Sequence, residues 1–237
     1  MNELNENIFH QYNKWKTGYV RKENSILVRI NQFLSVERMA NDVRKGNFEK
    51  IISDYTINYE DGNYSIDINM DEKDGRYNDM SVHIFESDLI NGELPFKFGK
   101  INASFCIDCD VKSLKNLPDF IRGGLVLNDC TSLTSLVGIT QQVDWSLNLI
   151  RCKSITSLEG LCKEKKSYHS INCDECSNLK TLNGAPIEID GYFSCSKCPA
   201  LVSLDGLPQK IHGTLYVDKR FKGKIPEYVK ALEVRYE

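Results

Sequence analysis

The chain has 237 residues, 41% of them hydrophobic and 27% charged, with a formal charge of −3 at neutral pH and nine cysteines. That is the composition of a soluble globular protein, and its slightly acidic balance argues against a nucleic-acid partner, which calls for a basic face or stripe. No stretch approaches the roughly 18 apolar residues of a membrane span, and the polar opening leads into no signal-peptide core, so a cytoplasmic protein with reduced thiols and no membrane association is expected.

The first ninety residues predict a small α+β domain, taken as 1–95. Ile8, Tyr12 and Trp15 fall at helical spacing, as do Ile26, Ile30, Phe33 and Leu34, followed by Val36, Met39, Ala40 and Val43. Ser35 is placed to cap a helix and Gly46 to stop one, and Phe48, Ile51 and Ile52 predict a further short helix. The segment YTINYEDGNYSIDINM then alternates with period two about Asp61-Gly62, the pattern of a hairpin, and MSVHIFE reads as a third strand. Asp67, Asn69 and Asp71 have the spacing of calcium ligands, but Glu72 stands where an EF-hand loop needs glycine, so a solvated turn is expected.

From about residue 96 a period of 22 residues takes over. Leu125, Leu127, Cys130, Leu133, Leu136 and Gly138 recur as Leu147, Leu149, Cys152, Ile155, Leu158 and Gly160, then as Ile171, Cys173, Cys176, Leu179, Leu182 and Gly184. The fourth copy, IDGYFSCSKCPALVSLDGLPQKI, spans Ile189 to Ile211. A weaker first copy aligns Ala103 and Phe105 with Leu125 and Leu127, and a terminal one keeps Ile211, Gly213, Leu215 and Val217. A solenoid turn cannot bury its apolar face alone, so equivalent residues must stack on equivalents in neighbouring turns. A parallel ladder through residues 125, 147, 171, 193 and 215 follows. The solenoid is placed at 96–220, with 221–237 as a C-terminal cap in which Pro226 marks a helix start.

The L-x-L-x-x-C core of each copy resembles the leucine-rich repeat, and the SLxGLP ending resembles units of leucine-rich-repeat-like proteins of bacteria and phages. The resemblance covers roughly residues 95–225 and implies a leucine-rich-repeat-like solenoid. The repeats here have CxxL where the family commonly has CxL, which implies irregular or 3₁₀ backbone on the outer curve of each turn.

Two CxxC pairs, Cys173/Cys176 and Cys195/Cys198, have the spacing of a four-cysteine zinc site. The repeat supplies another reason for them. Cys130, Cys152, Cys176 and Cys198 form one ladder, and Cys173 and Cys195 occupy a position held by Leu127, Leu149 and Val217 in other turns. Packed free thiols with no metal or other cofactor are therefore expected, and a zinc-binding protein with four cysteine ligands is the alternative. The CIDC pair is out of phase, with Cys106 facing outward from its strand and Cys109 in the following turn.

Residues alternating with the buried ones must face out. They are Val126, Asn128, Asn148, Ile150, Ser170, Asn172, Asp174, Tyr192, Ser194, Ser196, Thr214, Tyr216 and Asp218. Tyr192 and Tyr216 are aromatic anchors of the kind enriched in binding hot spots, with Asn172, Asp174 and Asp218 beside them to add polar and charge selectivity. Where Gly123, Gly191 and Gly213 begin their strands, two middle turns carry Trp145 and His169, which join the candidate partner-binding set, with Trp145 also fitting a core-filling role.

No GxGxxG, P-loop, GxSxG or HExxH is present, and the histidines His10, His83, His169 and His212 are scattered. A non-enzymatic protein-interaction module is expected. The repeat style alone suggests a bacterial or phage origin, and a phage-encoded module of this kind is expected to inhibit or sequester a host protein such as a defence factor, with a structural or assembly role fitting equally well. The layout is also similar to bacterial effector ubiquitin ligases, whose repeats recognise the substrate of a separate catalytic domain, and an effector-type enzyme is the second alternative.

Overall fold

The computed structural model describes residues 55–60, 63–68, 81–86, 89, 91–94, 97–161 and 168–237. The helices expected before residue 54, the Asp61-Gly62 turn, and Asn69, Asp71 and Glu72 lie outside them. The described part is a solenoid of parallel strands from Val82 to Tyr236, preceded by the hairpin β1 (Tyr55–Glu60) and β2 (Asn63–Ile68). The remaining strands are β3 (Ser81–Ile84), β4 (Lys97–Ile101), β5 (Ser104–Ile107), β6 (Phe120–Ile121), β7 (Leu125–Val126), β8 (Gln142–Asn148), β9 (Tyr168–Asn172), β10 (Glu188–Ile189), β11 (Phe193–Ser194), β12 (Lys210–Val217) and β13 (Lys230–Tyr236).

The main ladder pairs Val82 with Phe105, then Leu125, Leu147, Ile171, Phe193, Leu215 and Val234 in parallel register. This contains the register read from the repeat. A second track, a few residues earlier in each turn, runs Ile101–Ile121–Val143–Tyr168 and resumes as Ile189–Ile211–Ala231. The two tracks are separated by irregularities, seen as register shifts between Val143 and Ser146 and between Ile211 and Thr214. A bulge of this kind interrupts the ladder and leaves backbone groups to be satisfied otherwise. Serine does this: the Gly124 N–H donates to Ser104 Oγ and the Tyr192 N–H to Ser170 Oγ, each at 3.0 Å.

The core lies between the ladder and the returning half of each turn. Leu125, Leu147, Ile171, Phe193 and Leu215 are sealed from solvent, as are Leu133, Ile155, Leu179 and Leu201 on the return. Burying each such side chain is worth roughly 1.5–3 kcal/mol, and stacking supplies the burial that one turn cannot provide alone. The return itself is built of turns, and among the described residues helix is confined to short 3₁₀ turns such as Lys219–Phe221.

Two corners close each turn. At one, Gly138, Gly160, Gly184 and Gly206 take φ between 89° and 109°, and Asn116, with φ 69°, holds the equivalent place in the turn before Gly138. At the other, Asp129, Arg151, Glu175 and Lys197 have φ between 56° and 61°, left-handed conformations in residues other than glycine. These four alternate in charge along the solenoid. Arg151 grips Asp129 through Nε–Oδ1 at 2.6 Å and Nη2–Oδ2 at 2.7 Å, and Lys197 Nζ reaches Glu175 at 3.3 Å.

Three expectations change. Phe105 pairs with Leu125, not Leu127, because the corner after β5 is two residues shorter than its successors. A two-residue slip preserves the inward–outward parity, so Cys106 still lies in the outer row between His83 and Val126. The strand read as the third of an N-terminal domain is β3, the first rung of the solenoid, and β2 likewise pairs in parallel with β4. The C-terminal segment forms no helix from Pro226: turns lead into β13, parallel to β12. Leu232, Val234 and Tyr236 alternate there with Glu233, Arg235 and Glu237, a period-two signal that outweighs a proline at a turn.

Candidate docking face on the strand ladder

The thiols belong to the core. Cys130, Cys152, Cys173, Cys176, Cys195 and Cys198 are all buried and unpaired. Each ladder cysteine donates its S–H to a main-chain carbonyl about one turn back: Cys152 to Leu127 at 2.9 Å, Cys176 to Leu149 at 3.1 Å, Cys198 to Cys173 at 3.2 Å and Cys130 to Cys109 at 3.3 Å. Burial pushes the thiols of Cys176 and Cys198 up to about 12, and those of Cys173 and Cys195 well above the ordinary range, so all four stay protonated at neutral pH. Among the described residues no three of them converge as zinc ligands. The group that does bring three metal-ligating atoms together is Glu188, Asp190 and His212. There His212 Nε2 lies 2.7 Å from Glu188 Oε1 and Lys210 Nζ lies 3.5 Å from the same oxygen, so the glutamate already has its partners. Of the residues read as calcium ligands, Asp67 is described, and its Oδ1 accepts the Lys100 N–H at 2.6 Å.

The outer face is less uniform than the alternation predicts. Ser170, Ser194 and Ser196 are buried, because small side chains between larger neighbours do not reach the surface. The Ser194 hydroxyl donates to Asp174 Oδ1 at 2.6 Å, and the same oxygen accepts the Ser196 N–H at 2.7 Å. The Ser196 hydroxyl is buried without a hydrogen-bond partner among the described residues. Asp174 therefore braces the next turn, and burial raises its pKa above the usual carboxylate range. Asp218 plays a similar part at the corner, its Oδ1 accepting the Lys197 N–H at 2.8 Å while its Oδ2 lies 3.1 Å from Arg220.

Two aromatic groups remain on this face. Tyr192 and Tyr216 stand on neighbouring rungs with ring centroids 6.1 Å apart in an edge-to-face arrangement, and both are half-buried. Asn172 is hydrogen-bonded to Tyr192, whose pKa burial raises. The Arg235 guanidinium lies 5.9 Å from the Tyr216 ring centre and is bonded to Glu233 at 2.9 Å. The second group is Trp145 with His169, centroids 6.3 Å apart on adjacent turns. Trp145 is 66% exposed, which excludes the core-filling role. Both residues sit at the bulge, where flanking turns carry Gly123 and Gly191. A methyl group on Gly191 would collide with the His169 ring and the Ser170 hydroxyl, so glycine there makes room for the imidazole.

The structure thus brings Asn172, Asp174, Tyr192 and Tyr216 together, pairs Trp145 with His169, and turns Asp218 to the corner. Arg235 and Glu233 were missed by the sequence reading, since the segment carrying them was assigned to a helical cap. Comparison with protein-family models, curated proteins and solved structures finds no match to this chain.

Proposed function

We infer that the protein is a non-enzymatic protein-interaction module whose partner docks on the outer strand face around Tyr192 and Tyr216. The observation that carries this is the pair of edge-to-face tyrosines, laid on a rigid parallel ladder and flanked by Arg235. Rigid aromatic side chains offer large contact area at low entropic cost, and Tyr and Arg are the residues in which binding energy concentrates. Trp145 and His169 extend the same face. The repeat style supports a bacterial or phage origin; for a phage-encoded module the role would be to sequester or inhibit a host protein, a defence factor being one such target, and a structural or assembly role fits equally well.

The test is affinity capture from host lysate with mass spectrometry, repeated with Tyr192→Ala and Tyr216→Ala. Truncating a central aromatic anchor commonly costs about 2 kcal/mol or more, so each variant should weaken capture by tens of fold while leaving the melting curve nearly unchanged. Recovery of the same partner at wild-type strength by both variants would overturn the site.

A further inference from the structure

Among the described residues the last rung of the solenoid is an open edge. β13 pairs with β12 on one side, and among the described residues no strand pairs with its other side. Glu237 donates its N–H to Val217 and accepts the N–H of Lys219, so by the alternation of a strand residues 233, 235 and 237 aim their backbone groups at β12. Val234 and Tyr236 then aim theirs outward. The side chains behind this edge are covered from one side only: Val229, Ala231, Val234 and Tyr236 are half-buried against the core, whereas their counterparts Leu215 and Val217 on β12 are sealed. Leu232, 81% exposed, stands beside them. An end of this kind, with apolar side chains half covered and backbone groups unpaired, is a template for another strand.

The charges on the edge select the occupant. We propose that two copies of this chain join β13 to β13, antiparallel, about a twofold axis through Val234. In that register Val234 faces Val234 of the second copy as a hydrogen-bonded pair, which uses the backbone groups that β12 leaves free. The flanking pairs are Glu233 of each copy against Arg235 of the other, in the non-hydrogen-bonded positions where side chains approach most closely. The edge is complementary to itself, and four charges alternate in sign around the axis. Centring the pair one residue earlier or later would use the same outward backbone groups but set Glu233 against Glu233 or Arg235 against Arg235 in the closely spaced positions, so like-charge repulsion selects the register centred on Val234. The contact is isologous and closes after two copies, giving a dimer and not a fibre. With the axis perpendicular to the sheet, the half-covered ends of the two cores meet and both outer faces point the same way.

The dimer requires no other protein, so it is measured on this chain alone and stands or falls separately from the docking face. Sedimentation equilibrium over a concentration series should give a monomer–dimer equilibrium. E233R and R235E each oppose like charges and should weaken self-association about tenfold or more. An equimolar mixture of E233R and R235E should associate again, because one edge is then wholly basic and the other wholly acidic. Val234→Pro removes an N–H that β12 does not use, and should abolish association while the melting transition stays cooperative. A chain that is monomeric at every concentration overturns the proposal. So does a dimer that survives these changes, or a mixture of E233R and R235E that stays monomeric.

Discussion

At Asp174 a carboxylate does what an amide could do: Oδ1 accepts the Ser194 hydroxyl and the Ser196 N–H, but burial raises its pKa. Because the folded-state pKa lies above the unfolded one, the folded chain holds the proton more readily, and the unfavourable contribution present at neutral pH fades as the pH falls through that raised value. Asp174→Asn keeps the acceptor and removes the charge. It should leave the urea midpoint at neutral pH unchanged or higher and flatten this part of the pH dependence, whereas Asp174→Ala should cost about 1–3 kcal/mol. Asp129 behaves oppositely, since its hydrogen bond to Arg151 lowers its pKa and its contribution is lost as the pH falls. The ladder thiols can be tested by the same measurement. Cys176→Val matches the shape but removes one of two donors to the Leu149 carbonyl, which keeps the Cys152 N–H at 3.1 Å, and should lose about 0.5–1.5 kcal/mol, while Cys176→Ser, which retains a donor, should lose less.

At the scale of one turn, the corners decide which substitutions the fold accepts. Gly184 has φ 99°, and a methyl group there would run into the Leu158 carbonyl of the preceding turn. Gly184→Ala should therefore cost about 3 kcal/mol or more, combining left-handed strain with a backbone collision that no rotamer can relieve. The opposite corner is predicted to respond with the opposite sign. Lys197 holds φ 56° with a side chain that makes a surface ion pair to Glu175, so Lys197→Gly relieves the strain and loses little. Its net effect should be a gain of up to about 1 kcal/mol, read as a higher denaturation midpoint, after allowing for the greater freedom of glycine in the unfolded chain.

Across the whole molecule, each turn touches only its neighbours, and stability is close to a sum of turn and interface terms. The repeat length then becomes a unit of deletion. Removing residues 172–193, 22 residues from one ladder position to the next, joins Ile171 to Ser194 and brings Cys152 beneath Cys198 in place of Cys176. The shortened chain should still unfold in one cooperative transition at a lower temperature. Removing half as many residues would place corner sequence on the ladder and should abolish cooperative melting, and indistinguishable melting of the two deletions would refute the nearest-neighbour description.

The sequence alone determined the period, the ladder from Leu125 to Leu215 and the inward place of the cysteines, because burial repeats with the turn and composition records burial directly. It also placed Tyr192 and Tyr216 on the outer face, since strand alternation is local. It missed that Ser170, Ser194 and Ser196 are covered, because exposure depends on the size of neighbours a full turn away. The left-handed corners at Asp129, Arg151, Glu175 and Lys197 were invisible because none is glycine, and bonds between turns, such as those from the Arg151 N–H to the Asp174 carbonyl and from the Glu175 N–H to the Ser196 carbonyl, help to hold them there. β13 shows the limit most directly. Its alternation was present in the sequence, but the side chains of a terminal strand gain an inside and an outside only when β12 lies beneath them, and that placement, with the open edge it creates, was decided by tertiary structure.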